Sequence, residues 1–152
     1  MIRIGLDSPL ANEKGPTDRE RLQAALAEQI KDKGTSSAAA GAPRAPLWLI
    51  FIGHGTFDGK QAKLNLRGPD ITDAELAQWL SPIKRPVVLI DCTSASGPFL
   101  SRLSGPDRVI VTATRSGDEQ NFARFGQYMA ESIADERSDL DKDGQVSLLE
   151  AF

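Results

Sequence analysis

Three places in the chain combine residue types and spacings that could do chemistry. The first is Gly53-His54-Gly55, where a run of six apolar residues, Leu47 to Ile52, stops abruptly. His54 is the sole histidine, so any reaction that needs an imidazole near neutrality must use it. The glycines beside it let another backbone or a substrate come close. The second is the small polar loop Asp91-Cys92-Thr93-Ser94-Ala95-Ser96-Gly97, behind the apolar run Val87 to Ile90. It offers two nucleophiles. Cys92 is the stronger one chemically, a thiol with a reference pKa of about 8.5. Ser94 would depend on His54 as its base. Standing two apart at a strand end, both could face the same way. Each also has a plainer reading: Cys92 as a small buried core residue, Ser94 as a loop serine capping the next helix. Asp91 could orient a neighbour or stand as an exposed strand-end carboxylate.

The third place is the acidic loop Asp139 to Glu150. It matches the twelve-residue EF-hand pattern D-x-[DN]-x-[DN]-G-x5-E at every required position. Calcium takes about six to eight oxygens. The spacing supplies them from the side chains of Asp139, Asp141 and Asp143, the Gln145 carbonyl, Ser147 directly or through water, and both oxygens of Glu150. Gly144 permits the sharp turn, and Val146 is apolar at the eighth position, where paired loops meet. The plainer reading is a solvated acidic turn that never fills with metal. No second hand is visible to pair with it.

Composition removes several classes. At 152 residues the chain is one domain with room for a core. A net charge of −3 with scattered Lys and Arg argues against a nucleic-acid partner. Met1 to Leu10 lacks the apolar core of a signal peptide, and no segment approaches the ~20 apolar residues that cross a bilayer, so a soluble protein without a membrane partner is expected. One cysteine excludes an internal disulfide and leaves the compartment open; with one histidine it makes a zinc site of three or four N/S ligands improbable.

The elements that must position these residues follow from pattern. Ile2 to Leu6 could be a short strand. Thr17-Asp18-Arg19-Glu20 is a capping box, and Leu22, Ala25, Leu26 and Ile30 then form one helical stripe that ends at Lys33-Gly34. Thr35 to Pro46 is a small-residue connector. Leu47 to Ile52 reads as a strand buried on both faces. A short ribbon at Lys63 to Leu66 precedes a second capping box, Thr72-Asp73-Ala74-Glu75, whose helix turns Leu76, Trp79 and Leu80 inward. Val87 to Ile90 and Arg108 to Ala113 are further buried-type strands. Pro98 opens a short helix carrying Phe99, Leu100 and Leu103. A longer helix, Asn121 to Glu136, shows the stripe Phe122, Phe125, Met129 and Ile133. Apolar strands alternating with helices predict an α/β fold with a mainly parallel sheet and helices on both faces. His54 and the Asp91 loop then share its carboxyl edge, where ligands bind in open α/β folds.

On these residues the chain resembles the caspase, metacaspase and legumain group of cysteine peptidases, over roughly Leu47 to Phe152. The features shared are a strand ending in Gly53-His54-Gly55, a spacer of about 40 residues, and a second apolar strand ending in a loop with Ser96-Gly97. The resemblance extends to bacterial caspase-like proteins through Gly53 to Gly59 and Thr112 to Gly117. It implies a three-layer caspase-like fold, a peptide or protein substrate, and acyl transfer. His54 would activate the nucleophile or protonate the leaving amine, with the amides of Gly55 and of the nucleophile as oxyanion donors. Against the Cys-x-Ser-Gly pattern of the group, Ser94 rather than Cys92 occupies the nucleophile position. The chain is therefore expected to use Ser94, to use Cys92 from two residues back, or to have lost activity and to serve in calcium binding or partner recognition. Arg115 and Asp118 could line a specificity pocket. The abrupt ending and weak beginning suggest a domain truncated at both ends.

Overall fold

The computed structural model describes residues 1–5, 15–31, 44–121 and 123–152. In chain order its elements are α1 (Asp18–Lys31), β1 (Leu47–Phe51), β2 (Gly55–Phe57), β3 (Ala62–Leu64), β4 (Ile71–Thr72), α2 (Asp73–Leu80), β5 (Val87–Asp91), α3 (Gly97–Leu103), β6 (Arg108–Thr112), α4 (Phe125–Ala134), a 3-10 turn (Glu136–Ser138) and α5 (Leu148–Ala151). The expected helix end at Lys33-Gly34, most of the connector, and Phe122 lie outside the described residues. Residues 1–5 form no strand.

Among the described residues a parallel sheet runs in the order β1-β5-β6. The chain is an α/β protein. The alternation of side chains along β5 divides the interior in two. Val87 and Leu89 meet Leu26 of α1, Leu76 and Leu80 of α2, and Phe99 and Leu103 of α3. Val88 and Ile90 meet Met129 of α4 and Ala151 of α5.

Burial on both faces, expected of all three apolar runs, holds only for the central one. All five residues of β5 are buried. On β1, Trp48 and Ile50 stand level with Val88 and Ile90, yet they are 51% and 57% exposed. Val109 of β6 is likewise exposed. The reason is coverage: α4 and α5 bring their apolar side chains over β5 and leave the flanking strands half open. The helical stripes are narrower than the pattern suggests for the same reason, with Ile30 of α1, Leu100 of α3 and Ile133 of α4 exposed. The last long helix also starts later and ends earlier than expected, at Phe125 and Ala134.

Both capping boxes form. Thr17 N–H donates to Glu20 Oε2 at 2.7 Å and Glu20 N–H to Thr17 Oγ1 at 3.3 Å. In α2, Thr72 and Glu75 satisfy each other's amides in the same reciprocal way. Glu75 also receives Arg19 of α1 at 2.5 Å, and the guanidinium lies 5.2 Å from the Trp79 ring centroid, so one cation joins α1 to α2. That guanidinium, with the Thr72 amide, holds the Glu75 carboxyl down at about 2. The expected ribbon is broader than a hairpin: β2, β3 and β4 form an antiparallel sheet. It grows directly out of the His54 segment.

Candidate functional site at the carboxyl edge of the sheet

β1 and β5 are neighbours, with Phe51 level with Asp91. The Cys92 N–H carries the pairing one residue further by donating to Phe51 O at 2.9 Å. Both chemistry-bearing segments therefore leave adjacent strands at one edge. From there the first segment turns away into β2, and the Asn65 N–H holds it by donating to His54 O at 3.0 Å.

The closest contact between the two segments is made by Ser94 and Gly55. The Ser94 hydroxyl donates to Gly55 O at 2.9 Å and accepts from Gly55 N–H at 3.1 Å. Ser94 is 1% exposed. Gly55 has no room for a side chain, since a Cβ there would stand 2.2 Å from Ser94 O. The amide expected to serve an oxyanion hole thus donates inward to Ser94. The hydroxyl expected to attack a substrate has both its donor and an acceptor site filled by backbone. Ser94 does not cap the next helix either: the Gly97 N–H at the start of α3 is met by Thr114 Oγ1 at 2.9 Å.

His54 is exposed, and among the described residues its imidazole makes no hydrogen bond. Cys92 does not share a side with Ser94, contrary to the two-residue alternation, because the strand ends at Asp91 and the chain turns over, with Ala95 at a φ of 54°. It packs on the α4 side, against the cluster of Val88, Ile90, Met129 and Ala151. A Cβ on Gly126 would lie 3.1 Å from its sulfur. Burial, and then the Asp91 charge, push the thiol up. A nucleophile working at neutral pH needs the opposite shift.

Asp91 is not an exposed strand-end carboxylate: it is fully buried. Its Oδ1 accepts from Thr93 N–H at 3.0 Å and from the Thr93 hydroxyl at 2.6 Å. Among the described residues its Oδ2 has no partner. Burial pushes this carboxyl up to about 6, against the lowering effect of the two Thr93 bonds. Behind it, Ser96 Oγ accepts from the Thr114 N–H at 3.2 Å, and Thr114 Oγ1 donates to Ser116 O at 3.0 Å. Thr93 and Thr114 are given no role by the sequence reading, and Ser96 enters it only as part of Ser96-Gly97. The usable signal was the density of small hydroxyl residues directly after the apolar run Val87 to Ile90.

Arg115 and Asp118 are both exposed. Arg115 borders an open depression with Ser116 and Glu119, and Asp118 is not part of its lining. The Glu119 carboxylate accepts from the amides of Arg115 and Ser116 and shapes this turn.

In the acidic loop, carboxylate oxygens of Asp139, Asp141 and Asp143 lie within 4.8 Å of one another. That spacing and that donor type suit a hard divalent cation. The loop is folded by its own carboxylates. Asp139 accepts from the amides of Asp143 and Gly144, Asp141 from that of Asp143, and Asp143 from that of Gln145. Gly144 takes the positive φ, 87°, that the turn requires. Glu150 does not join the three aspartates. Its Oε1 accepts from the amides of Leu140 and Asp141, and its Oε2 from that of Ser147, whose hydroxyl caps α5 in return. These bonds, that to Ser147 foremost, hold the Glu150 carboxyl at about 2.

Compared with family models, with curated proteins and with solved structures, the chain matches none. Among the described residues no helix is long and apolar enough to cross a membrane.

Proposed function

We propose that the chain is a three-layer, caspase-like domain of the legumain and metacaspase type, derived from a peptidase, with calcium held by the loop Asp139 to Glu150. The observation that carries this reading is the meeting of two adjacent strand ends, with Gly55, next to His54, bonded through its backbone to Ser94. This is the pair of positions at which the resemblance puts base and nucleophile.

Such a domain either hydrolyses peptides or has kept the frame without the reaction. We favour the second form. A serine needs its proton removed by a base in hydrogen-bond reach. Here the Ser94 proton lies on Gly55 O, the residue is buried, and the His54 imidazole stands in solvent. Cys92 is no substitute, because it lies beneath α4. His54 and Arg115 are exposed side chains of these segments left for a partner.

Hydrolysis of a peptide library, followed in the wild type and in His54→Ala, Ser94→Ala and Cys92→Ala, tests the choice. No turnover that depends on His54 is expected. Turnover abolished by both His54→Ala and Ser94→Ala would establish the active form instead. For the metal, the three clustered carboxylates support a calcium site, and calorimetric titration is expected to give saturable heat. Absence of heat at millimolar calcium would remove that half of the reading.

A further inference from the structure

Asp91 is the buried titratable group for which neither the acyl-transfer scheme nor the calcium loop has a use. A carboxylate has room for about four hydrogen bonds across its two oxygens. In Asp91 both bonds fall on Oδ1 and come from Thr93, two residues on, while Oδ2 has none. Among the described residues no cation bears on it. β1 and β6 set Phe51 and Thr112 level with it. On β2, Gly55 contributes backbone. The Arg102 guanidinium of α3 lies on Asp73, and the Glu119 carboxylate serves the turn amides. Its one titratable neighbour is Cys92, itself uncharged at neutral pH. A buried charge in that position is unpaired, and an unpaired buried charge either neutralises or draws in water.

The turn after Asp91 contains Ala95 in the left-handed region, unfavourable for a residue with a Cβ. Hydrogen bonds hold the turn down: the Ser94 hydroxyl with the Gly55 N–H and C=O, Ala95 N–H to Glu119 O at 2.8 Å, Ser96 with Thr114, and Gly97 N–H to Thr114 Oγ1. These bonds lie outside the β1-β5-β6 ladder.

We propose that Asp91 is a proton-sensitive positioning residue for the carboxyl edge: while it holds its proton the Thr93–Gly97 turn stays closed on Gly55, and loss of that proton to solvent water opens the turn and releases the Ser94 hydroxyl. The strand-end site is thereby closed in mildly acidic surroundings and loosened above neutrality. The proposal requires neither turnover nor calcium, so it stands or falls apart from the function proposed above.

Amide hydrogen exchange of the whole chain at about pH 5 and pH 8, corrected for intrinsic chemistry, tests it. Protection of Thr93 to Gly97 and of Gly55 is expected to fall about tenfold between the two pH values, the ratio set by a carboxyl that titrates near 6 closed and at an ordinary value open. The amides of α2 should change by less than about threefold, and Asp91→Asn should abolish the difference in the turn. Constant protection in the wild type, or a fall that survives in Asp91→Asn, would overturn the proposal. Should that variant fail to fold, the Asp91 carboxyl carbon shift in the wild type decides. A midpoint near 6 supports the proposal, and one at or below about 4 ends it.

Discussion

The chain holds two polar clusters that look alike in sequence, each a short run of hydroxyl and acidic residues, and the fold treats them in opposite ways. At the carboxyl edge of the sheet, Asp91, Thr93, Ser94, Ser96 and Thr114 are buried and bond one another or nearby backbone. In the loop Asp139 to Glu150 the carboxylates lie at the surface and bond the loop's own amides. The same functional groups act as mortar in the first cluster and as a candidate ligand cage in the second. Burial makes the difference. A buried polar group must be satisfied by the protein and is costly to disturb, whereas an exposed one can exchange its amide for water or a cation at little cost.

The most severe way to break the contrast is to add a methyl group to a glycine in each cluster. Gly55→Ala would drive a Cβ to within 2.2 Å of Ser94 O and 3.0 Å of Thr93 Oγ1. No side chain can swing aside to relieve a clash with backbone. Urea denaturation should show a loss of at least about 3 kcal/mol or a failure to fold. Gly144→Ala meets no atom within 4 Å and carries only the strain of its positive φ, about 1 kcal/mol. Equal losses at the two sites would show that packing does not separate the clusters.

Asp91→Asn comes next, and its effect should depend on pH. Asn keeps the acceptor for Thr93 and cannot ionise. The Asp91 carboxyl is raised to about 6 when folded, from an ordinary value when unfolded. The folded state therefore binds more protons between those values, and stability falls as pH rises through the window from about 4 to about 6. Above it the full penalty is present, about 3 kcal/mol for a shift of that size. The variant should match wild type near pH 4 and exceed it by about 2–3 kcal/mol at pH 8. Equal denaturation midpoints at both pH values would refute the burial account of Asp91.

Ser94→Ala should cost about 1–3 kcal/mol, because it leaves the Gly55 N–H and C=O without partners in a buried place. Ser94→Cys is a useful companion: the longer C–S bond should disturb the same pair of contacts and destabilise by a comparable amount. A stability change near zero for Ser94→Ala would mean that the Gly55 backbone finds water, and that the edge is wetter than its burial indicates.

Much of this arrangement was legible in the residues. The capping boxes at Thr17 and Thr72 specify their helix starts by local chemistry, which survives any tertiary context. Three apolar runs between helices were enough to expect a parallel sheet, and with it the shared edge at which Gly53-His54-Gly55 meets the Asp91 loop. What was not legible depends on coverage. Leu47 to Phe51 and Val87 to Asp91 read almost alike, and only the placement of α4 and α5 makes one a half-open edge and the other the centre. The roles of Cys92 and Ser94 escaped for a related reason: alternation holds along a strand, and the strand ends at Asp91, before either residue. A carboxylate at a strand end is usually wet, but Asp91 ends the central strand, with Phe51 and Thr112 level with it on the flanking ones. Glu150 followed the ligand pattern in sequence, but in this structure its oxygens lie on Leu140, Asp141 and Ser147.

Glu150→Gln should give the smallest change in stability and sharpens the comparison most. The residue is half-buried, and its amide bonds hold the carboxylate at about 2. A group lowered when folded stabilises above its unfolded value, here about 4.5, and that contribution is lost as pH falls toward about 2. Gln keeps acceptor capacity on one oxygen and gives up the charge, so the thermal midpoint at neutral pH should move by no more than about 1–2 °C, well below the shift from Ser94→Ala. Calcium affinity should respond in the opposite order. Reaching the ion requires Glu150 to leave its amides and offer both oxygens, and Gln can offer neither a second oxygen nor a charge. Calorimetry should show binding weakened at least about tenfold in Glu150→Gln and unchanged in Ser94→Ala. A variant that melted like Ser94→Ala while binding calcium as tightly as wild type would make Glu150 part of the mortar as well, and burial would no longer be what divides the two clusters.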